Sequence, residues 1–251
     1  MTLPDRIPEP RPVRPTAIAR WFVTAAALQW KAFLPLFAVG FVGLTIVSLL
    51  GMSKFLAHVA LLVTHLVGVA ICSCADTRKQ IGRNELRACL LKLMPACIVA
   101  SYHLIGMFFG YVIYDSVSGH APFEYLFNPT ANVEFAIFDF DFAMGSYLVV
   151  RIVSSLYPYA FHLHALAGHG LIESAMKGDG GRPAINVFAL TALDVTCIAL
   201  LAVVTVLFTP AAPILMGLFS ALSYVSYREI YLGVAENATE RNPGGVAVVQ
   251  H

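Results

Sequence analysis

Two charged side chains fall where charge is costly. Arg151 and Asp194 each lie about nine residues into a long apolar run, and intramembrane charges of this kind face inward and take a partner. The two runs are successive and antiparallel, so a rise of about 1.5 Å per residue brings the two Cα atoms to within about 7 Å in depth. This predicts an Arg151–Asp194 ion pair, made directly or through Tyr147 or Ser155. A pair so placed could form a polar path for a proton or an anionic head group. The plainer role is a packing clamp between two helices.

Histidines are the next candidates. His58 and His65 are spaced to share one helix face, His103 lies in another run, and His162, His164 and His169 cluster at the end of a third. Imidazoles at such spacings can hold zinc, copper or iron. No acidic residue stands at the positions that would complete a ligand box, so neither a metal nor another cofactor is expected. Cys72-Ser73-Cys74 could be an acylation or metal motif. With five cysteines in or beside apolar runs and no second close pair, small buried hydrophobes are the better reading. Ser118-Gly119-His120 and Lys177…Arg182-Pro183 imitate motifs of lipid phosphatases, but their order is reversed and they fall on opposite sides of the topology below. No phosphate-binding glycine loop, nucleophile elbow or paired-histidine metalloprotease helix is present. The chain is not expected to be an enzyme.

The elements that would carry these residues are apolar helices. Hydrophobic residues make up 58% of the 251, charged residues only 12%, and mean hydropathy is +0.74. A soluble domain carries about twice that share of charge, so lipid is the expected solvent for most of the surface. A net charge of +1 excludes the basic excess that nucleic acid demands.

Six apolar runs stand out, at about 33–53, 55–74, 93–114, 142–165, 185–208 and 211–232. Each is about 20 residues, enough to cross a hydrocarbon core of about 30 Å. Pro158 and Arg151 leave a re-entrant element open in the fourth run. The expected organisation is a proline-rich, extended and mobile cytoplasmic arm at 1–15, a transmembrane domain at 16–232 and a cytoplasmic tail at 233–251. Lysine and arginine set the orientation. Arg6, Arg11, Arg14, Arg20, Lys31, Arg78, Lys79, Arg83, Arg87, Lys92, Lys177, Arg182, Arg228 and Arg241, 14 of the 16 basic residues, fall on one side of a six-span chain. The long segment 115–141 has none. Both termini are therefore expected in the cytoplasm.

Each pair of runs is preceded by a short, partly amphipathic segment, at 16–31, 81–92 and 166–182. The following run opens with a basic residue close before a proline, as in Lys31/Pro35, Lys92/Pro95 and Arg182/Pro183. The fold class that results is all-α, a bundle of six transmembrane helices with short interfacial helices, open to a reading as three hairpin repeats. Within 16–31, Trp21 and Trp30 lie beside Arg20 and Lys31, the composition of a helix anchored along a membrane surface. Gly106 and Gly110 in the third run suit close helix packing.

The end of the sixth run, Tyr224-Val225-Ser226-Tyr227-Arg228-Glu229-Ile230-Tyr231, resembles a motif of one family, as do Glu173-Ser174-Ala175-Met176 and Asn186-Val187-Phe188. The family is a group of uncharacterised six-span bacterial inner-membrane proteins, related to the membrane domain fused to some glycerophosphoryl diester phosphodiesterases. The resemblance covers 16–232, departs at the arm and at the acidic segment 115–141, and implies a bacterial inner-membrane location with no catalytic residues. The expected function is that of a non-enzymatic accessory, scaffold or lipid-interacting protein. Expected partners are membrane lipids and other membrane proteins or further copies of the chain. The alternative is a small transporter or lipid-handling protein working through Arg151 and Asp194.

Overall fold

A computed structural model describes residues 7–49, 54–76, 159–180 and 185–233. Every regular element among them is helical. These are α1 (Ala17–Lys31), α2 (Phe33–Leu49), α3 (Lys54–Asp76), α4 (Leu171–Lys177), α5 (Val187–Leu207) and α6 (Ala212–Tyr227). Two π turns, His162–Leu166 and Arg228–Leu232, and a 3-10 turn, Thr209–Ala211, complete the set. The third apolar run, most of the fourth, the segments 81–92 and 115–141 and the tail beyond Gly233 lie outside the described residues.

Prolines punctuate the chain for a steric reason. Pro35 has no N–H and its ring would strike the carbonyl one turn back, so the helix of α1 cannot run through it. The break falls at Ala32, and α1 and α2 meet at 92°. Pro35 then sits in the first turn of α2, where the missing donor leaves no bond unmade. Pro213 does the same at the start of α6. Segment 16–31 is thus a helix of its own and not an extension of the first apolar run.

α1 buries Ala17, Trp21, Thr24, Ala25, Leu28 and Gln29, a single face at helical spacing. That face packs along α6. Trp21 lies at Glu229 near one end of α6, and Gln29 donates to the Ile214 carbonyl near the other. α6 is the helix everything else touches: α1, α2, α3 and α5 all pack on it. It is buried on nearly every side, as its unbroken apolar run requires.

Small residues let the helices close on α6. A Cβ on Gly40 of α2 would stand 2.9 Å from the Pro213 carbonyl oxygen, and one on Gly68 of α3 would stand 2.8 Å from the Ser220 Cβ. Ser220 Oγ lies 3.0 Å from the Met216 carbonyl of its own helix and 3.2 Å from the His65 carbonyl across the contact. The pocket left between Leu36, Thr64, His65 and Met216 is only about 10 Å³, close to the lower limit for a single water.

The outer faces of α2 and α5 differ from this interior. Leu34, Phe41, Val42 and Ile46 on α2, and Phe188, Val195, Val203 and Leu207 on α5, are exposed and apolar. Among the described residues, no single helix is long and apolar enough to cross a membrane, although α1 and α2 together pass that measure as a bent pair.

The arm departs from the expectation of mobility. It is extended from residue 7 to residue 14, but it is held. Ile7 is buried, the Arg11 N–H donates to the Ile230 carbonyl at 2.8 Å, and the Val13 N–H donates to Asn186 Oδ1 at 2.8 Å. A chain rich in proline has few donors to satisfy, and the bundle end accepts those two.

Gly68→Ala should cost about 1–3 kcal/mol, because the new methyl has no room against Ser220. Thermal unfolding of the purified protein reads this as a lowered Tm, and adding Ser220→Gly should recover part of it. An unchanged Tm for the single variant would disprove the close contact.

Candidate functional site: the polar end of the central helix

α6 ends in a concentrated set of polar and aromatic residues, Tyr224 to Tyr231. Successive helical residues point about 100° apart, so the neighbouring charges Arg228 and Glu229 address different helices. Both stand at the start of the π turn Arg228–Leu232.

Arg228 turns to α3. One of its terminal nitrogens, Nη1, straddles the Asp76 carboxylate at 2.9 and 2.8 Å. Tyr224, one turn earlier and on the same face, donates its hydroxyl to Asp76 at 3.0 Å. Glu229 turns to α1. One oxygen pairs with Arg20, and the other accepts the Trp21 indole N–H at 2.8 Å. Both carboxylates are mostly covered, and each is neutralised by an arginine and bonded by an aromatic donor. Charge-assisted bonds of this kind are about twice as strong as neutral ones.

A third face holds the aromatic residues. Tyr227 lies against the His162 ring of the first π turn, with ring centroids 4.8 Å apart. Tyr159 closes on both His162 and Tyr231 edge-on, at 5.6 and 5.7 Å. The far nitrogen of His162, Nε2, lies 3.4 Å from Ser223 Oγ. The Tyr231 hydroxyl donates to the Lys177 carbonyl and accepts the Gly180 N–H at 3.1 Å, which fixes the turn after α4. Nearby, the His164 Nδ1 lies 2.8 Å from the His169 carbonyl.

The motif therefore contacts α1, α3, the first π turn, the loop after α4 and the arm. Its carboxylate, Glu229, is taken up by Arg20 and Trp21, and the Tyr224, Ser226 and Tyr231 hydroxyls donate to carboxylate or carbonyl acceptors. Such an arrangement holds helices together.

Compared with known proteins, the chain matches no family model, no curated protein sequence and no solved structure. The geometry must speak for itself.

Of the residues singled out in the sequence, Arg151 lies outside the described residues, as do His103, His120, Cys89, Cys97 and the Gly106/Gly110 pair. Asp194 sits near the middle of α5 and is half-buried. The side chain of His58 is likewise outside the described set, while His65 is buried between α3 and Ser220. Among the described residues, no three histidines, cysteines or carboxylates converge as a metal site would need. Cys72 is buried and Cys74 half-buried.

The four surface anchors divide. Trp30 faces outward, 77% exposed, but Trp21 is 0% exposed and its indole serves Glu229. Arg20 is turned to the same carboxylate, and Lys31 donates to the Ala75 carbonyl at the end of α3. The correction for Trp21 has a simple cause. Its spacing puts it on the face of α1 that α6 covers, and a buried Glu229 needs its donor.

Asp76, Glu229 and Asn186 were not singled out for a role by their residue types, and His162 was considered only as a metal ligand. One signal was available. Asp76, Arg228 and Glu229 stand at the ends of apolar runs and Arg20 in the segment before the first run, all on the same predicted side and in equal numbers of each sign.

Glu229→Gln should destabilise the protein by about 2–3 kcal/mol, because Arg20 loses its counter-charge in a half-buried site. Asp76→Asn and Arg228→Gln, combined in a double-mutant cycle, should show a coupling of about 1–3 kcal/mol in denaturant unfolding. Strict additivity would remove the Asp76–Arg228 pair from the account.

Proposed function

We propose that this chain is a polytopic membrane protein of a bacterial inner membrane, with six spans and both termini cytoplasmic. Its role is that of a non-enzymatic accessory or scaffold that meets lipid and other membrane proteins through its outer helix faces. The observation that carries this reading is the pair of exposed apolar stripes on α2 and α5, set against a polar cluster confined to one end of the bundle. Water would not tolerate stripes of that length on a free surface, whereas hydrocarbon favours them.

The distribution of positive charge agrees. Arg11, Arg20, Lys31, Lys177 and Arg228 come from four segments (the arm, α1, α4 and the turn after α6), and each has a contact of its side chain or backbone with the Asp76–Tyr231 end. One basic end is what an N-in, C-in chain needs. α3 and α6 run in the same direction, since Gly68 lies beside Ser220 and Asp76 beside Arg228, as the second and sixth of six alternating spans should. The scaffold role is supported by a motif most of whose polar side chains bond to other helices or turns.

Alkaline carbonate extraction of native membranes should leave the protein in the pellet. Alkaline phosphatase fused within 115–141 should be active, and the same reporter after residue 251 should be inactive. Extraction into the carbonate supernatant would end the membrane reading, and an active C-terminal fusion would end the six-span topology. Solute flux or turnover by the purified protein in liposomes would end the scaffold role.

A further inference from the structure

The membrane reading leaves the arm unexplained. Residues 8, 10 and 12 are prolines, so only the intervening residues carry backbone N–H groups along this stretch. Two of those donors, at Arg11 and Val13, are taken up by the bundle, as the fold description gives.

The receptor is specific in its parts. Asn186, 1% exposed, accepts the Val13 N–H and donates its own amide to the Arg11 carbonyl at 2.9 Å. The same amide nitrogen donates to the Gly180 carbonyl at 2.7 Å, which holds the amide plane and its orientation. One buried side chain thus reads the carbonyl before a proline and the N–H after it. The Ile230 carbonyl, in the π turn that follows α6, reads the N–H of the residue before the proline. Gly233 ends that turn with φ +69°, and a Cβ there would run into the Arg11 guanidinium. A left-handed residue without a side chain both ends the helix and leaves room for the ligand's arginine.

We propose that Asn186, the Ile230 carbonyl and Gly233 form a binding site for an extended peptide centred on a proline, with the chain's own arm as its resident ligand. The ligand class follows from the bonds. They are made to backbone atoms, so recognition depends on an extended conformation more than on side chains, and proline at the centre supplies that conformation at little entropic cost. Proline also brings no N–H, so no donor is left unpaired between the two that are read. The site stands whether or not the helices cross a bilayer.

The test keeps the whole chain. A site-specific protease sequence inserted between Pro15 and Thr16 allows the arm to be cut in the folded, purified protein. The arm fragment should then stay bound through gel filtration, and a labelled synthetic peptide of residues 4–15 should replace it in a saturable manner. The same peptide N-methylated at Val13 should bind about tenfold more weakly or worse, since it leaves the buried Asn186 oxygen unpaired. Asn186→Ala should fail to hold either peptide. Loss of the fragment on cutting, or equal binding of the N-methylated peptide, would overturn the proposal. The N-methylated peptide probes the bond with Asn186 intact, so the test holds even where Asn186→Ala does not fold.

Discussion

Two opposite charges on adjacent residues, Arg228 and Glu229, must each find a partner, and they cannot share one. Neighbouring positions on a helix face different directions, so the arginine commits to Asp76 at the end of α3 and the glutamate to Arg20 and Trp21 on α1. The central helix is thereby tied on two sides at the same level. Breaking a mostly covered pair by removing one partner is expensive because the survivor stays desolvated. The end of α6 therefore fixes where α1 begins and where α3 stops relative to it.

Along the rest of α6, contacts of another kind hold the bundle. Gly40, Gly68 and Ser220 bring backbones close enough that a single methyl would collide. Such contacts work through dispersion and shape, and they say little about register along the helix axis. The polar end supplies register, since a charge displaced by one turn loses its partner. The two mechanisms are complementary: small residues set how near the helices lie, and ion pairs set how far along they slide.

The aromatic group around His162 ties in the remaining segments. Tyr227 and Tyr231, one turn apart, close against the first π turn and the loop after α4. That loop carries Gly180, whose carbonyl orients Asn186, and Asn186 in turn holds the arm. A continuous chain of hydrogen bonds thus runs from the end of α6 to residue 11. The arm is ordered by the same residues that order the bundle end.

Much of the architecture was legible in the sequence because helix periodicity and proline punctuation are local. The bounds of α2, α3, α5 and α6 fall close to the apolar runs, the bend at Ala32 follows from Pro35, and the inward and outward faces follow from spacing. Partner choice was not legible. Arg20 and Arg228 fall on the same predicted side, as do Asp76 and Glu229, and nothing in the residue types says which cation meets which anion. That depends on the order of helices around α6, which joins residues about 150 to 210 positions apart. Trp21 illustrates the limit: beside a basic residue at a helix start its composition reads as a surface anchor, yet it is buried because α6 happens to lie on its face. By itself the sequence determined that the chain is a set of apolar helices with basic ends and a proline-rich arm. Only the tertiary structure decided which charges pair and where the arm lies, because hydrogen bonds and ion pairs are made between surfaces that meet only once the helices have packed.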